Sequence, residues 1–208
     1  LGVPGDAGFQ TRVLRHALQL LEAPSGPVLA DFPDDAPEDS AEPAPFVCPV
    51  NFAAPPADLN ATELMRQALH QEIGQLRPWY DLAVSQRGRT TMGVSGLTPE
   101  ELGSFIGAFL DGEVPPHPRP EMPMATLFRF AVEDLKTYYG EAITAQPGQQ
   151  TVTSSVLADW FWRETTAGRV LFAVYEVCKQ SDVPGMQVVA TGFLIPRARA
   201  SESPYVTD

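Results

Sequence analysis

Cys48, in the phrase "PFVCPVNF", is the side chain best suited to covalent or redox work. A thiol acts as a nucleophile only as thiolate, and a lowered pKa needs a cation, a histidine or a second cysteine close by. None stands near Cys48 in the sequence, so it reads first as a small apolar residue packed beside Phe46 and Phe52. It remains the one catalytic candidate. Cys178, the only other cysteine, falls on the apolar side of a helical pattern and reads as core.

A second group of residues could bind rather than react. "WYD" at 79–81, Tyr138-Tyr139 and "DWFW" at 159–162 bring aromatic rings together with carboxylates. A pocket built from them would use Trp79, Tyr80, Asp81, Arg87, Arg89, Asp134, Tyr138 and Trp160, with Asp159 as a further polar group. The competing reading is core packing, in which nearby polar groups only satisfy the Trp and Tyr donors. "RGRT" at 87–90 carries two guanidiniums that could hold an anion, against the plainer reading of a solvated helix end.

Other chemistries lack their residues. His16, His70 and His117 are scattered over a helix, another helix and a proline-rich loop. The Glu-x-x-His pairs of a di-iron helical bundle are missing, so no metal is expected. There is no G-x-G-x-x-G and no Walker A loop, and no cofactor is expected. "GVSG" at 93–96 is one residue too short for a nucleophile elbow and reads as a turn into the following helix.

The elements that must position these groups are helical. Residues 7–22 follow the candidate cap Asp6 and place Phe9, Val13, Leu14, Ala17, Leu18 and Leu21 on one face. Six acidic residues and no basic one lie between Asp31 and Glu42, and Pro33, Pro37, Pro43, Pro45, Pro49, Pro55 and Pro56 exclude a continuous helix there. That stretch is an extended linker. Asn60 with Glu63 starts the next helix, which Pro78 is expected to kink or end. "GLTPEELGSFIGAFLDG" has a complete start and stop: Thr98 caps, Pro99 takes the first helical position, Glu101 completes the capping box and Gly112 terminates. Further helices are expected over 123–145 and, as one long element, over 154–179. "VPGMQVVATGFLIPR" reads equally as helix or strand, and the end of the chain as a frayed tail.

The totals narrow the function class. At 44% hydrophobic the chain can build a core, and a net charge of −12 disfavours both nucleic acid and anionic membrane surfaces as partners. No apolar run reaches the ~20 residues of a membrane span. Two isolated cysteines and no visible secretion signal lead to a cytoplasmic expectation.

The opening stretch, "LGVPGDAGFQTRVLRHALQLLEAPSGPVLADFPDDAP", resembles the C-terminal end of the reductase-like domain in the glycine/sarcosine/betaine/D-proline reductase family of selenoprotein B type. The shared features are a Pro-Gly-Asp turn, a helix and a "GPVL.DFP" exit. The resemblance covers about residues 1–36 and implies that an α/β reductase-like body precedes Leu1. It also implies that the family's selenocysteine or cysteine lies in that body. No catalytic residue carries over, and Cys48 lies outside the matching stretch.

The expected architecture is therefore mainly α, an irregular bundle of about four or five helices preceded by a helix and a Pro-rich acidic linker. Residues 1–36 close an upstream α/β domain, 37–59 form the linker, 60–198 the all-α domain and 199–208 the tail. The expected task is non-catalytic: docking, oligomerisation or covering the active site of a reductase-like body. That body, as upstream domain or partner subunit, is the expected partner, with a homo-oligomer also open. Any parent activity would be an oxidoreductase. The alternatives are a self-contained helical ligand-binding protein or enzyme with its pocket near Trp79, Asp81 and Trp160, and a stand-alone interaction module.

Overall fold

A computed structural model describes residues 6–35, 61–147 and 154–203. Cys48 and the Asn60 cap lie outside the described residues. The chain divides into two compact units, Leu1–Pro43 and Ala44–Asp208. All regular structure among the described residues is helical, so the mainly α expectation holds. None of these helices is long and apolar enough to cross a membrane.

In the first unit, α1 (Ala7–Gln19) starts where the Asp6 carboxylate accepts from the Phe9 N–H at 2.9 Å. A 3₁₀ turn extends it over Leu20–Glu22. The returning "VLADFP" segment lays Phe32 edge-on to Phe9, ring centroids 5.7 Å apart, and to His16 at 5.4 Å. Arg12 pairs with Asp34 at 3.3 Å. Phe9 is the buried anchor of this arrangement, whereas Leu14, Leu18 and Leu21 are 56%, 63% and 80% exposed.

The second unit is built around α2 (Ala61–Arg87), which packs against α3 (Pro99–Ala108), α4 (Met124–Thr144) and α6 (Thr166–Lys179). Pro78 lies inside α2 and does not end it. Leu69, Ile73 and Leu76 before it and Ala83 after it are all buried, so packing on both sides outweighs the lost N–H. Tyr138 of α4 donates to the Ile73 carbonyl at 2.6 Å in the turn leading to Pro78. The start of α3 is as its residues dictate: Thr98 accepts from the Glu101 N–H, and Glu101 accepts from the Thr98 N–H at 2.8 Å.

The single helix expected over 154–179 is two helices, α5 (Ser154–Glu164) and α6, with a corner at Thr165. The corner has three causes. Thr165 is extended and its hydroxyl caps α6, accepting from the Gly168 N–H at 3.0 Å. Gly168 lies so close to the end of α5 that a Cβ there would sit 2.3 Å from the Phe161 carbonyl oxygen. The buried Glu72 of α2 accepts from the Thr166 and Ala167 N–H groups at 2.9 and 3.0 Å, taking over bonds a continuous helix would have made.

The ambiguous stretch after Pro184 is helical, with α7 (Met186–Val189) followed by one π turn over Ala190–Leu194. Met186, Val189, Ala190 and Leu194 are buried at helical spacing, which settles a region whose β-branched residues suited either form. A 3₁₀ turn at Arg197–Glu202 follows, beginning inside the segment expected to belong to the all-α domain and running into the expected tail. Glu202 is fixed there by Arg163 through two bonds of 3.0 Å and by Arg199 at 2.9 Å.

Candidate functional site

The candidate site is a cleft of about 420 Å³ at the C-terminal end of α2, lined by Arg87, Arg89, Thr91, Thr137, Gly140 and Glu141. Its position follows from how the chain leaves α2. The Gly88 N–H closes on the Val84 carbonyl at 2.8 Å, and the chain then crosses the face of α4 over residues 89–97.

Two carboxylates of α4 hold that crossing. Asp134, fully buried, receives four donors: the Gly93 and Val94 N–H groups at 2.8 and 3.2 Å, and the Ser95 N–H and hydroxyl at 2.8 and 2.5 Å. The "GVSG" turn is therefore wrapped around one carboxylate, a concave set of N–H groups facing a negative charge. The Arg119 guanidinium closes its far side by donating to the Ser95 carbonyl at 2.7 Å. It occupies the space beside Gly96, whose φ of +71° also favours glycine.

Glu141 is the second anchor. One oxygen accepts from the Thr91 N–H and hydroxyl, both at 2.9 Å, and the other from the Thr90 hydroxyl at 2.7 Å. Burial pushes its carboxyl up, but the bonds from Thr91 and Thr90, with Arg87 nearby, win and leave it below the ordinary carboxylate range. Glu141 is thus an ionised strut and not a proton donor near neutral pH.

Among the eight ligand-pocket candidates, Arg87 and Arg89 line this cleft. Arg87 donates to the Thr144 hydroxyl at 2.8 Å and makes no ion pair, and Arg89 makes neither a hydrogen bond nor an ion pair among the described residues. Tyr80 and Tyr138 are not among the residues that line the cleft. Their rings lie 4.9 Å apart, and the Tyr80 hydroxyl donates to Thr90 at 3.0 Å. Burial pushes the Tyr138 phenol above its ordinary range.

The rest lie elsewhere. Trp160 is buried against Tyr139, ring centroids 6.1 Å apart, and Trp79 packs on the same core. Asp81 faces outward and binds Arg77 at 2.9 and 3.1 Å. Asp134 is committed to the 93–95 turn. The proposed constellation of Trp79, Asp81 and Trp160 is thus divided among surface, core and core face.

Two carboxylates that the sequence did not single out carry much of the organisation, Glu72 and Glu141. Glu72 also accepts from the Tyr139 hydroxyl at 2.7 Å. Cys178 is buried, and burial pushes its thiol up to about 12, which disfavours thiolate chemistry. Among the described residues no group of three or more His, Cys, Asp or Glu could hold a metal ion. Two exposed guanidiniums with hydroxyls beside them suit an anionic group, and among the described residues no activated nucleophile or proton-transfer pair accompanies them. Compared with family models, curated proteins and solved structures, the chain matches none.

Proposed function

We propose that this chain is a non-catalytic helical module that docks on a reductase-like α/β body through its first unit. The observation that carries this is the uncovered apolar stripe of α1. Leu14, Leu18 and Leu21 recur at intervals of four and three and are largely exposed, and Leu29 on the returning segment is 98% exposed. Covering three leucines is worth about 1.5–3 kcal/mol each, enough to hold a helix against a sheet. The resemblance of residues 1–36 to the closing segment of a reductase-like domain names the occupant.

Intact-mass measurement with N-terminal sequencing of the protein isolated from its source tests this. The expected result is a mass well above 22.6 kDa, or a stoichiometric α/β subunit that Leu14→Glu with Leu18→Glu releases. A mass of 22.6 kDa, with sedimentation unchanged by the two substitutions and no such subunit, overturns the reading.

The cleft supports a second reading, a small-molecule site for an anionic group. Acetate and inorganic phosphate are expected to shift the Thr91 and Gly140 amide resonances. Arg87→Gln with Arg89→Gln should weaken that response about tenfold or more, as expected for losing charge-assisted bonds. Resonances that stay still, or a response the two substitutions leave intact, would sink it.

A further inference from the structure

A different cavity has the makings of a binding site, and it does not depend on the docking reading. About 370 Å³ in volume, it lies where the last turns of α6, the π turn and the 3₁₀ turn of Arg197–Glu202 meet. Its floor is apolar: Ala190 and Ile195 are buried, and the Tyr175 ring forms one wall. Among the described residues its charged lining residues are Lys179 and Arg197, and none is acidic.

That balance is unusual for this chain, in which 26 acidic residues face 14 basic ones. Other cations in this part of the fold are engaged. Arg199 binds Asp159 and Glu202, Arg163 binds Glu202, and Lys136 donates to the Phe193 carbonyl. Lys179 and Arg197 make no ion pair among the described residues. The Lys179 ammonium stands 5.7 Å from the Tyr175 ring centroid, directed at the same wall. The side of the cavity formed by 197–202 is pinned by the Glu202 bonds to Arg163 and Arg199, so the space is formed before a ligand arrives.

We infer that this cavity binds a small organic anion with an apolar body, its ring or chain on Tyr175, Ala190 and Ile195 and its carboxylate between Lys179 and Arg197. At about 30 Å³ per water the space equals about a dozen waters, which sets the ligand at about that many heavy atoms. Both interactions are needed: the floor supplies burial, and the two cations supply the preference for a negative head.

A matched pair of probes separates these contributions, 4-phenylbutyrate and 4-phenylbutan-1-ol, titrated into the full chain and followed by the resonances of Ala190, Thr191 and Ile195. The acid is expected to shift all three and to bind with a Kd below about 1 mM, and the alcohol about tenfold more weakly. Lys179→Gln and Arg197→Gln should each weaken the acid several-fold, leave the alcohol unchanged and keep the unfolding midpoint in place. The inference fails if the acid moves none of these resonances, if the alcohol binds as tightly, or if both substitutions leave the acid's affinity as it was.

Discussion

Replacing Glu72 by alanine is expected to cost about 3–4 kcal/mol of folding stability, because it orphans three buried or half-buried donors at once. The Thr166 N–H, the Ala167 N–H and the Tyr139 hydroxyl all end on this one carboxylate, which is 2% exposed. Each donor left without a partner costs about 1–3 kcal/mol, and the total is reduced because a buried negative charge is removed with them. Glu72→Gln keeps the size of the side chain and one acceptor, so its loss should be nearer 1–2 kcal/mol, a rough halving by the same count of bonds. Urea denaturation checks both. An alanine variant within about 1 kcal/mol of the wild type, the scale of one net hydrogen bond, would mean that water replaces Glu72 and that the corner at Thr165 stands without it.

The pH dependence gives Glu72 a second readout. Burial raises its carboxyl above the ordinary value, and the bonds from Thr166, Tyr139 and Ala167, with Arg169 nearby, only partly reverse that. The folded state then holds its proton more firmly than the unfolded state. Stability is reduced above the folded pKa and recovered as pH falls through it toward the unfolded value. Glutamine does not titrate. The advantage of wild type over Glu72→Gln should therefore grow as pH is lowered from neutral toward the ordinary carboxylate range. An advantage that shrinks over that window would show that the three donors, and not burial, set the charge state.

The same residue explains where sequence reading stopped. Starts written in neighbouring residues were legible: Asp6 before α1, and Thr98, Pro99 and Glu101 before α3. The extent of α4 followed from its apolar period. The corner at Thr165 was not legible as a break, because the local Thr165 cap is completed by the Glu72 carboxylate, 94 residues away from Thr166. Over 154–179 the helical period runs on without a Pro, and the local hints are the cap-type residue Thr165 and Gly168, where two backbones approach closely. Of the two outcomes expected at Pro78, a kink or an end, the structure excludes the end, because packing on three neighbouring helices carries α2 through it. For the site, Arg87 and Arg89 were readable as an exposed basic pair at a helix end. The aromatic residues were not separable by type into core and pocket. Glu141 gave no signal, because what makes it a strut is a pair of threonines some fifty residues earlier.

Asp134→Ala should release the 93–97 turn and cost about 3–4 kcal/mol, by loss of an acceptor that serves four donors. The effect differs in kind from that at Glu72. Gly93 and Val94 are exposed, so their freed N–H groups can turn to water, whereas Ser95 is buried and cannot do so without opening the turn. The expected outcome is therefore local as well as global: amides 93–97 lose protection from hydrogen exchange before those of α4 do. Asp134→Asn keeps one oxygen but sets an amide NH₂ against N–H donors, so it should recover less than half of the loss. The cleft supplies the functional consequence. Thr90 and Thr91 precede the turn and bind Glu141, while Arg89 precedes them, so a freed turn leaves the cleft wall tethered at Glu141 and at the Tyr80 hydroxyl alone among the described residues. In the alanine variant the Thr91 and Gly140 amides should respond more weakly to acetate and phosphate, although both arginines are intact. Full protection of 93–97 in that variant would show that Arg119 and the capped start of α3 hold the turn by themselves, and the buried carboxylate would lose its role as the anchor of the cleft.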